Sequence, residues 1–317
     1  MSEALGVLAA ILSSLLGGTT VAGTRYLVNE LDALTIAALR HGVGALCFLP
    51  IAIYALRTNR SRRDLTAAAL LGILFYGIFP WLFALALGYT TAARGSLAMA
   101  SFPIQALGLA ILLRVEAFSW TRLIGILISM SGLIYAILPA IARAGAGAGE
   151  AWKGDLIMLF AVFLGSIYAV VSRPYIGRVG ALSFAAVGVC SGAVLLVLLA
   201  LALGRLQALP LLPMASWGII VYLGVFGTAV LFFLWVIGLE HASPALIAMT
   251  VPANPLVAMI LGAWLLDERI GIEVIAGLVL VLIGIAVAMN VFGRRALISS
   301  GGQRSPEPTT TDRHDSR

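Results

Sequence analysis

Charge is scarce in this sequence. Asp, Glu, Lys and Arg make up 11% of its 317 residues, against about 25% in a soluble domain. Hydrophobic residues make up 61%. A soluble globule needs polar surface to cover its core, so this shortage excludes soluble enzymes, nucleic-acid binders and disordered regulators. Lysine is nearly missing: Lys153 stands alone beside nineteen arginines. Arginine in cytoplasmic loops, rather than a nucleic-acid partner, accounts for the net charge of +6. Cys47 and Cys190 lie in apolar runs without a nearby His or second Cys, so neither a disulfide framework nor a metal site is expected. Three histidines, one of them in the tail, are too few for the titratable cluster of an integral-membrane enzyme, and no cofactor is expected. No Gly-x-x-x-x-Gly-Lys-[Ser/Thr] loop is present, so the chain does not hydrolyse ATP by that machinery. Met1-Ser2-Glu3 lacks a basic start and no cleavage signal follows, so no signal peptide is expected.

What is present is a series of long apolar windows. A helix needs about 20 apolar residues to cross the hydrocarbon core. The charge-poor windows are 4–24, 33–56 (interrupted by Arg40-His41), 65–93, 95–113, 123–142, 156–172, 179–204, 206–239, 242–266 and 274–293. Pro210 and Pro213 place the start of the eighth helix near Met214. The reading is an all-α membrane protein with ten transmembrane helices. A β-barrel is excluded, because its segments alternate over about ten residues.

Ten spans put both termini on one side. Ten basic residues near the membrane fall on that face: Arg57, Arg60, Arg62, Arg63, Arg114, Arg122, Arg173, Arg178, Arg294 and Arg295. Six fall on the other: Arg25, Arg94, Arg143, Lys153, Arg205 and Arg269. The excess places both termini in the cytoplasm and the chain in the cytoplasmic (inner) membrane. The polar stretch 297–317 reads as a disordered cytoplasmic tail.

The two halves resemble each other. A shift of 148 lays Gly6 on Gly154, Gly17 on Gly165, Arg25 on Arg173 and Leu34 on Leu182. A shift of 152 lays Gly72 on Gly224, Pro103 on Pro255, Glu116 on Glu268, Gly125 on Gly277 and Gly132 on Gly284. The repeats are 4–140 and 153–292, joined by 141–152. With five spans each, the second half enters the membrane in the opposite sense. Inverted repeats of this kind build a site at the midplane that opens to each side in turn.

Several stretches carry a family likeness: Leu34-Thr-Ile-Ala-Ala-Leu-Arg40, Gly154-Asp155, Asn254-Pro255, Leu266-Asp-Glu268, and Gly277 with Gly284. On these, from Leu5 to Asn290, the sequence resembles the drug/metabolite transporter superfamily in its ten-helix EamA-type branch. The fourth span departs from the pattern, ending Leu113-Arg-Val-Glu116 where a Leu-Gly-Glu-like end is usual. The resemblance implies export or import of amino acids, their derivatives or other metabolites. It also implies a central cavity walled by spans 1, 3, 4, 6, 8 and 9.

Within those spans the polar candidates for the cavity are Ser14 and Thr20, Tyr76 and Trp81, Ser101 and Gln105, Tyr168, Thr228 and Trp235, and Thr250 and Asn254. Ser and Thr also serve helix packing. Gln105 and Asn254 are more telling, because an amide in hydrocarbon needs partners. Both lie beside matched prolines, Pro103 and Pro255, with Pro252 as a further helix break. A proline frees a backbone carbonyl, and a broken helix can hold a polar ligand at mid-depth. Four charged residues are candidates for gating or ligand contact. Arg40 either contacts an anion or fixes a helix pair through carbonyls; His41 beside it reads as structural. Arg94 opens the fourth span, where a cation opposes the helix dipole, and so needs a partner such as a substrate or lipid phosphate. Glu116 and Glu268 are either gates or proton-coupling groups, or they favour the dipoles of spans five and ten. No acidic residue lies deep in a span, so proton coupling by a buried carboxylate is unsupported. The paired glycines of spans five and ten read as close packing.

These features point to a secondary transporter of small organic metabolites, with amino acids or related compounds as candidates and export as the expected direction. The fused halves make a monomer the default. A channel would need a charged ring or a filter-like loop, and neither is seen.

Overall fold

Unbroken apolar stretches fold as helices here because a helix satisfies its own backbone donors and acceptors. The computed structural model describes residues 3–58, 61–115, 120–144, 150–206, 212–241, 250 and 253–300. Among these residues there are helices and no strands. In chain order they are α1 (Glu3–Leu27), α2 (Ala33–Arg57), α3 (Arg62–Gly72), α4 (Phe79–Tyr89), α5 (Ala92–Ala100), α6 (Phe102–Leu112), α7 (Trp120–Ala144), α8 (Ala151–Val179), α9 (Ala181–Ala202), α10 (Met214–Gly224), α11 (Leu231–His241), α12 (Ala253–Leu265) and α13 (Ile272–Ser300). Wide π-helical turns, Ile73–Ile78 and Val225–Val230, join α3 to α4 and α10 to α11 without a break.

Local chemistry sets the boundaries. Asp32 caps α2, its Oδ1 accepting from the N–H groups of Leu34 (3.1 Å) and Thr35 (3.2 Å). Thr91 caps α5 through the N–H of Arg94 at 3.3 Å. Gly180 alone links α8 to α9 at φ 86°, a conformation that favours glycine. Pro213 precedes α10, which begins at Met214 as the two prolines predict. The fourth window is interrupted: Ser101 divides it into α5 and α6, and Pro103 lies in the first turn of α6. The last helix continues to Ser300, past Leu297; the remainder of the tail, like Glu116 and Pro252, lies outside the described residues.

Among the described residues seven helices are long and apolar enough to cross a membrane, counting α3–α4, α5–α6 and α10–α11 as one each. Shorter apolar stretches, Leu123–Ala136, Ala253–Leu265 and Ile272–Gly284, accompany them. The outer surface carries large apolar side chains such as Leu46, Leu70, Leu112, Phe160, Leu198, Ile260 and Trp264. In water such a surface would cost about 25 cal/mol per Å² of apolar area; lipid removes that cost.

Glycines bring the backbones together. A Cβ on Gly72 would fall 2.6 Å from the carbonyl oxygen of Gly188, and one on Gly224 would fall 3.0 Å from that of Arg40. A Cβ on Gly44 would meet Thr228 Cγ2 at 2.6 Å, and one on Gly192 would meet the Tyr76 carbonyl carbon at 2.5 Å. One on Gly132 would meet the Gly277 oxygen at 2.8 Å, and one on Gly284 the Gly125 oxygen at 2.5 Å. The last two contacts lock α7 against α13 in antiparallel sense, and the Ser129 hydroxyl adds a hydrogen bond to the Val281 carbonyl at 3.0 Å.

Candidate functional site

The broken fourth span supplies the first element of the site. Pro103 lacks an N–H, so the helix restarts at this point. The Ser101 hydroxyl donates to the Ala98 carbonyl at 2.6 Å and accepts from Gln105 Nε2 at 2.8 Å. The sequence reading expected a free carbonyl opposite Pro103. That carbonyl belongs to Met99, while the backbone N–H of Ser101 donates to the Ala98 carbonyl at 3.1 Å. Ser101 and Gln105 therefore form one polar unit at the break.

The second element is the first turn of α12 against α1. Asn254 lies over Gly17, where a Cβ would fall 2.5 Å from Asn254 Nδ2. Only glycine leaves space for the amide. Asn254 Oδ1 is buried with no hydrogen-bond partner among the described residues. An unpaired buried acceptor costs about 1–3 kcal/mol, and a ligand donor would remove that cost. One turn earlier, the Ser14 and Thr250 hydroxyls meet at 3.1 Å and Thr250 also donates to the Ala10 carbonyl at 3.3 Å. Pro255 lies inside the first turn of α12.

The π-turns hold the third group. Tyr76, on Ile73–Ile78, meets the Tyr168 hydroxyl at 3.3 Å. Phe75 stacks on Tyr168 with centroids 4.4 Å apart, and Phe232 stands edge-on to Tyr76 at 4.9 Å. Thr228, on Val225–Val230, donates to the Leu223 carbonyl five residues back at 3.2 Å. Arg40 satisfies the rest of that turn: its Nε donates to Thr228 Oγ1 at 3.1 Å and its Nη2 to the Gly227 carbonyl at 2.8 Å. These two bonds tie α2 to the turn at Val225–Val230. His41 bonds the Ala37 carbonyl of its own helix at 3.1 Å. Thr20 donates to the Leu16 carbonyl at 3.0 Å, with Gly227 packed on its hydroxyl. Trp81 lies apart from the others, lining a side hollow of about 210 Å³ with Asp32, Leu34 and Arg205. Trp235 is half-buried on α11.

The charged candidates have partners within the protein. Arg94 pairs with Asp155. Its Nη2 and Nε donate to the two carboxylate oxygens, the latter at 3.3 Å, and Nη1 donates to the Ala136 carbonyl at 3.2 Å. Thr90 adds its hydroxyl to Asp155 Oδ1 at 2.8 Å. Asp155 is fully buried, which the reading of the spans did not foresee. Gly154 makes this possible by letting α8 abut the Ala86 carbonyl at the end of α4. Glu268 stands at the N-terminus of α5. Its Oε2 accepts the Ala92 N–H at 2.8 Å, and its Oε1 accepts from Arg25 Nε at 3.1 Å. Gly-Asp at the head of α8 was the sequence signal for Asp155; nothing in the sequence joined it to Arg94, sixty-one residues earlier. Among the described residues no group of three His, Cys, Asp or Glu could hold a metal.

Comparison with known proteins adds a consistent result. The model of the EamA-like transporter family matches residues 4–138 and again 152–290. A protein of Clostridium kluyveri described as an uncharacterized transporter is 23% identical over 81% of this chain and 83% of its own. The uncharacterized transporter YyaM of Bacillus subtilis is 24% identical, over 88% of this chain and 91% of its own. A protein of Streptantibioticus cattleyicolor described as "probable terminal-alkyne amino-acid exporter" is 26% identical over 87% of this chain and 88% of its own. A crystal structure covering 93% of this chain and 99% of its own shares the fold at TM-score 0.66 and 20% identity.

Proposed function

Because the chain belongs to the EamA-like transporter family, and so is a multi-pass membrane transporter, we propose that it is a secondary carrier exporting amino acids or related small metabolites by alternating access. In this reading ten spans form two inverted five-helix halves around one central path, in a monomer with both termini in the cytoplasm. The observation that carries it is a set of contacts that exchange under the shifts of 148 and 152. Gly72 against Gly188 becomes Gly224 against Arg40; Gly44 against Thr228 becomes Gly192 against Tyr76. Gly132 against Gly277 becomes Gly284 against Gly125, and Gly17 against Asn254 becomes Gly165 against Phe102. The Asp64–Arg178 ion pair becomes the bond between Ser216 and Glu30. The π-turn at 73–78 becomes the one at 225–230. Similar halves that meet in this way can trade conformations, which opens the path first to one side and then to the other. The arginine excess orients the carrier, and the exporter among its relatives supports an amino-acid-like solute and outward movement.

The site we assign is the uncharged middle of the path. Asn254 offers an open acceptor, Ser101–Gln105 a polar pair at the helix break, and Tyr76 with Tyr168 an aromatic wall. Counterflow in proteoliposomes tests this. Vesicles loaded with unlabelled amino acids should take up labelled amino acid with saturation. Asn254→Ala should cut that uptake at least about tenfold, the equivalent of about 1.4 kcal/mol. Linear, unsaturated uptake would indicate a channel, and no uptake by folded protein would remove amino acids from the reading.

A further inference from the structure

We infer that the half-helix α5 is the gate on the face bearing Arg25 and Arg94, hinged at Ser101 and clasped shut by Asp155 and Glu268. The inference rests on the carrier reading above. Its mobile element belongs to the first half of the chain and both clasping carboxylates to the second, so each clasp joins the parts that alternating access must separate.

The clasps differ in kind. Asp155 holds the side of α5 through Arg94, inside a pocket where its carboxylate also accepts from Thr90 and is fully buried. Glu268 holds the end of α5. It takes the Ala92 N–H directly and is held there by Arg25. Gly262 gives it access: a Cβ there would lie 3.0 Å from Glu268 Oε2 and 3.2 Å from the Ala92 Cβ. When α5 swings away, its first N–H loses a charged acceptor and Arg94 loses its counter-ion. The closed position is therefore favoured until something offsets that loss.

The hinge and the moving surface suit this role. At Ser101 the chain has no continuous helical ladder, because Pro103 contributes no donor. The bond across the hinge, from Gln105 Nε2 to Ser101 Oγ, uses an amide we assign to the solute site. A solute that engages Gln105 thereby removes a restraint from the hinge. The helix itself, Ala-Ala-Arg-Gly-Ser-Leu-Ala-Met-Ala, is mostly small residues, which interdigitate little with their neighbours. A bridge between the halves on the opposite face, Arg178 to Asp64, is of another kind: its arginine side chain is 53% exposed, and exposed pairs contribute little. The arrangement is thus closed firmly on the α5 side.

Thiol labelling tests the gate without any substrate. In a background of Cys47→Ala and Cys190→Ala, Ser96→Cys places a thiol on α5 at a position that is now fully buried. With both clasps intact, a water-soluble, membrane-impermeant maleimide should label it slowly. Asp155→Asn combined with Glu268→Gln should raise the labelling rate about tenfold or more from the Arg25 side of the membrane. Ala186→Cys, equally buried on α9 but away from α5, should stay protected in the same variants. If the combined variant is not recovered folded, Arg25→Gln, which loosens one clasp only, is read by the same two thiols and should accelerate Ser96→Cys labelling alone. Unchanged labelling of Ser96→Cys would overturn the gate, and so would equal acceleration at both thiols, which indicates general loosening. Absence of amino-acid counterflow would remove amino acids from the reading above and leave this result as it stands.

Discussion

Arg40→Met should lower the stability of the purified protein by about 2–5 kcal/mol, read by heat or detergent unfolding. The methionine keeps most of the side-chain volume and removes every donor. Gly227 then loses the donor at 2.8 Å and Thr228 the one at 3.1 Å. Both lie in a π-turn, where the regular i→i−4 ladder no longer absorbs each carbonyl. Neither group can turn to water, since Thr228 is fully buried and Arg40 is only 8% exposed. Arg40→Lys should fall between, because an ammonium can reach one of the two acceptors but lacks the planar fork that spans both. A variant of unchanged stability whose counterflow is lost would return Arg40 to the role of solute contact.

Gly72→Val should abolish recovery of monodisperse, folded protein. A Cβ at that position would fall 2.6 Å from the Gly188 oxygen and 2.7 Å from its carbonyl carbon. These are backbone atoms of α9, which no rotamer change moves aside. Gly224→Val should behave alike through the exchanged contact, where the obstacles include the Arg40 oxygen at 3.0 Å and Val43 Cγ1 at 2.5 Å. Gly88→Ala provides the contrast. Among the described residues nothing lies within 4 Å of its added Cβ; Gly88 is the penultimate residue of α4, so alanine there should gain at most about 0.5–1 kcal/mol. Fluorescence size-exclusion profiles of the three variants, followed by melting of Gly88→Ala, read out both expectations. A normal Gly72→Val profile would mean that α3 and α9 are not held at backbone distance.

Which features were legible in the sequence follows from their range. Helix positions were, because apolar length is a local property: Ala33–Arg57 matches its window between Asp32 and Arg57, whereas Ala151–Val179 runs past both ends of the window 156–172 and carries Asp155 and Arg173 within it. The close-packed glycines of α7 and α13 were also legible, since a seven-residue spacing fixes a helix face. The break at Ser101 was marked by Pro103, but its consequence was not. Pro103 sits in the first turn of a new helix, and the break is bridged by side chains, with Gln105 Nε2 donating to Ser101 Oγ. Pairings across the fold were not legible. Arg94 demanded a partner on dipole grounds, and Asp155 was visible as half of Gly-Asp, yet only the packing of α8 on the end of α4 brings them together. Glu268 was placed correctly at a helix N-terminus in kind, but the helix it caps comes from the other half of the chain. Such contacts depend on how the halves dock, and no local pattern encodes that.

The central claim is that transport requires the two halves to part at the head of α5. Ala92→Cys combined with Gly262→Cys, in the background free of other cysteines, tests it most directly. The two Cβ atoms would lie 3.2 Å apart, close to the span of about 3.5–4.5 Å that a disulfide bridges. Oxidation should tie α5 to α12 and bring amino-acid counterflow down to that of empty vesicles, and reductant should restore it. Full counterflow through protein whose bridge is verified by mass would contradict the account.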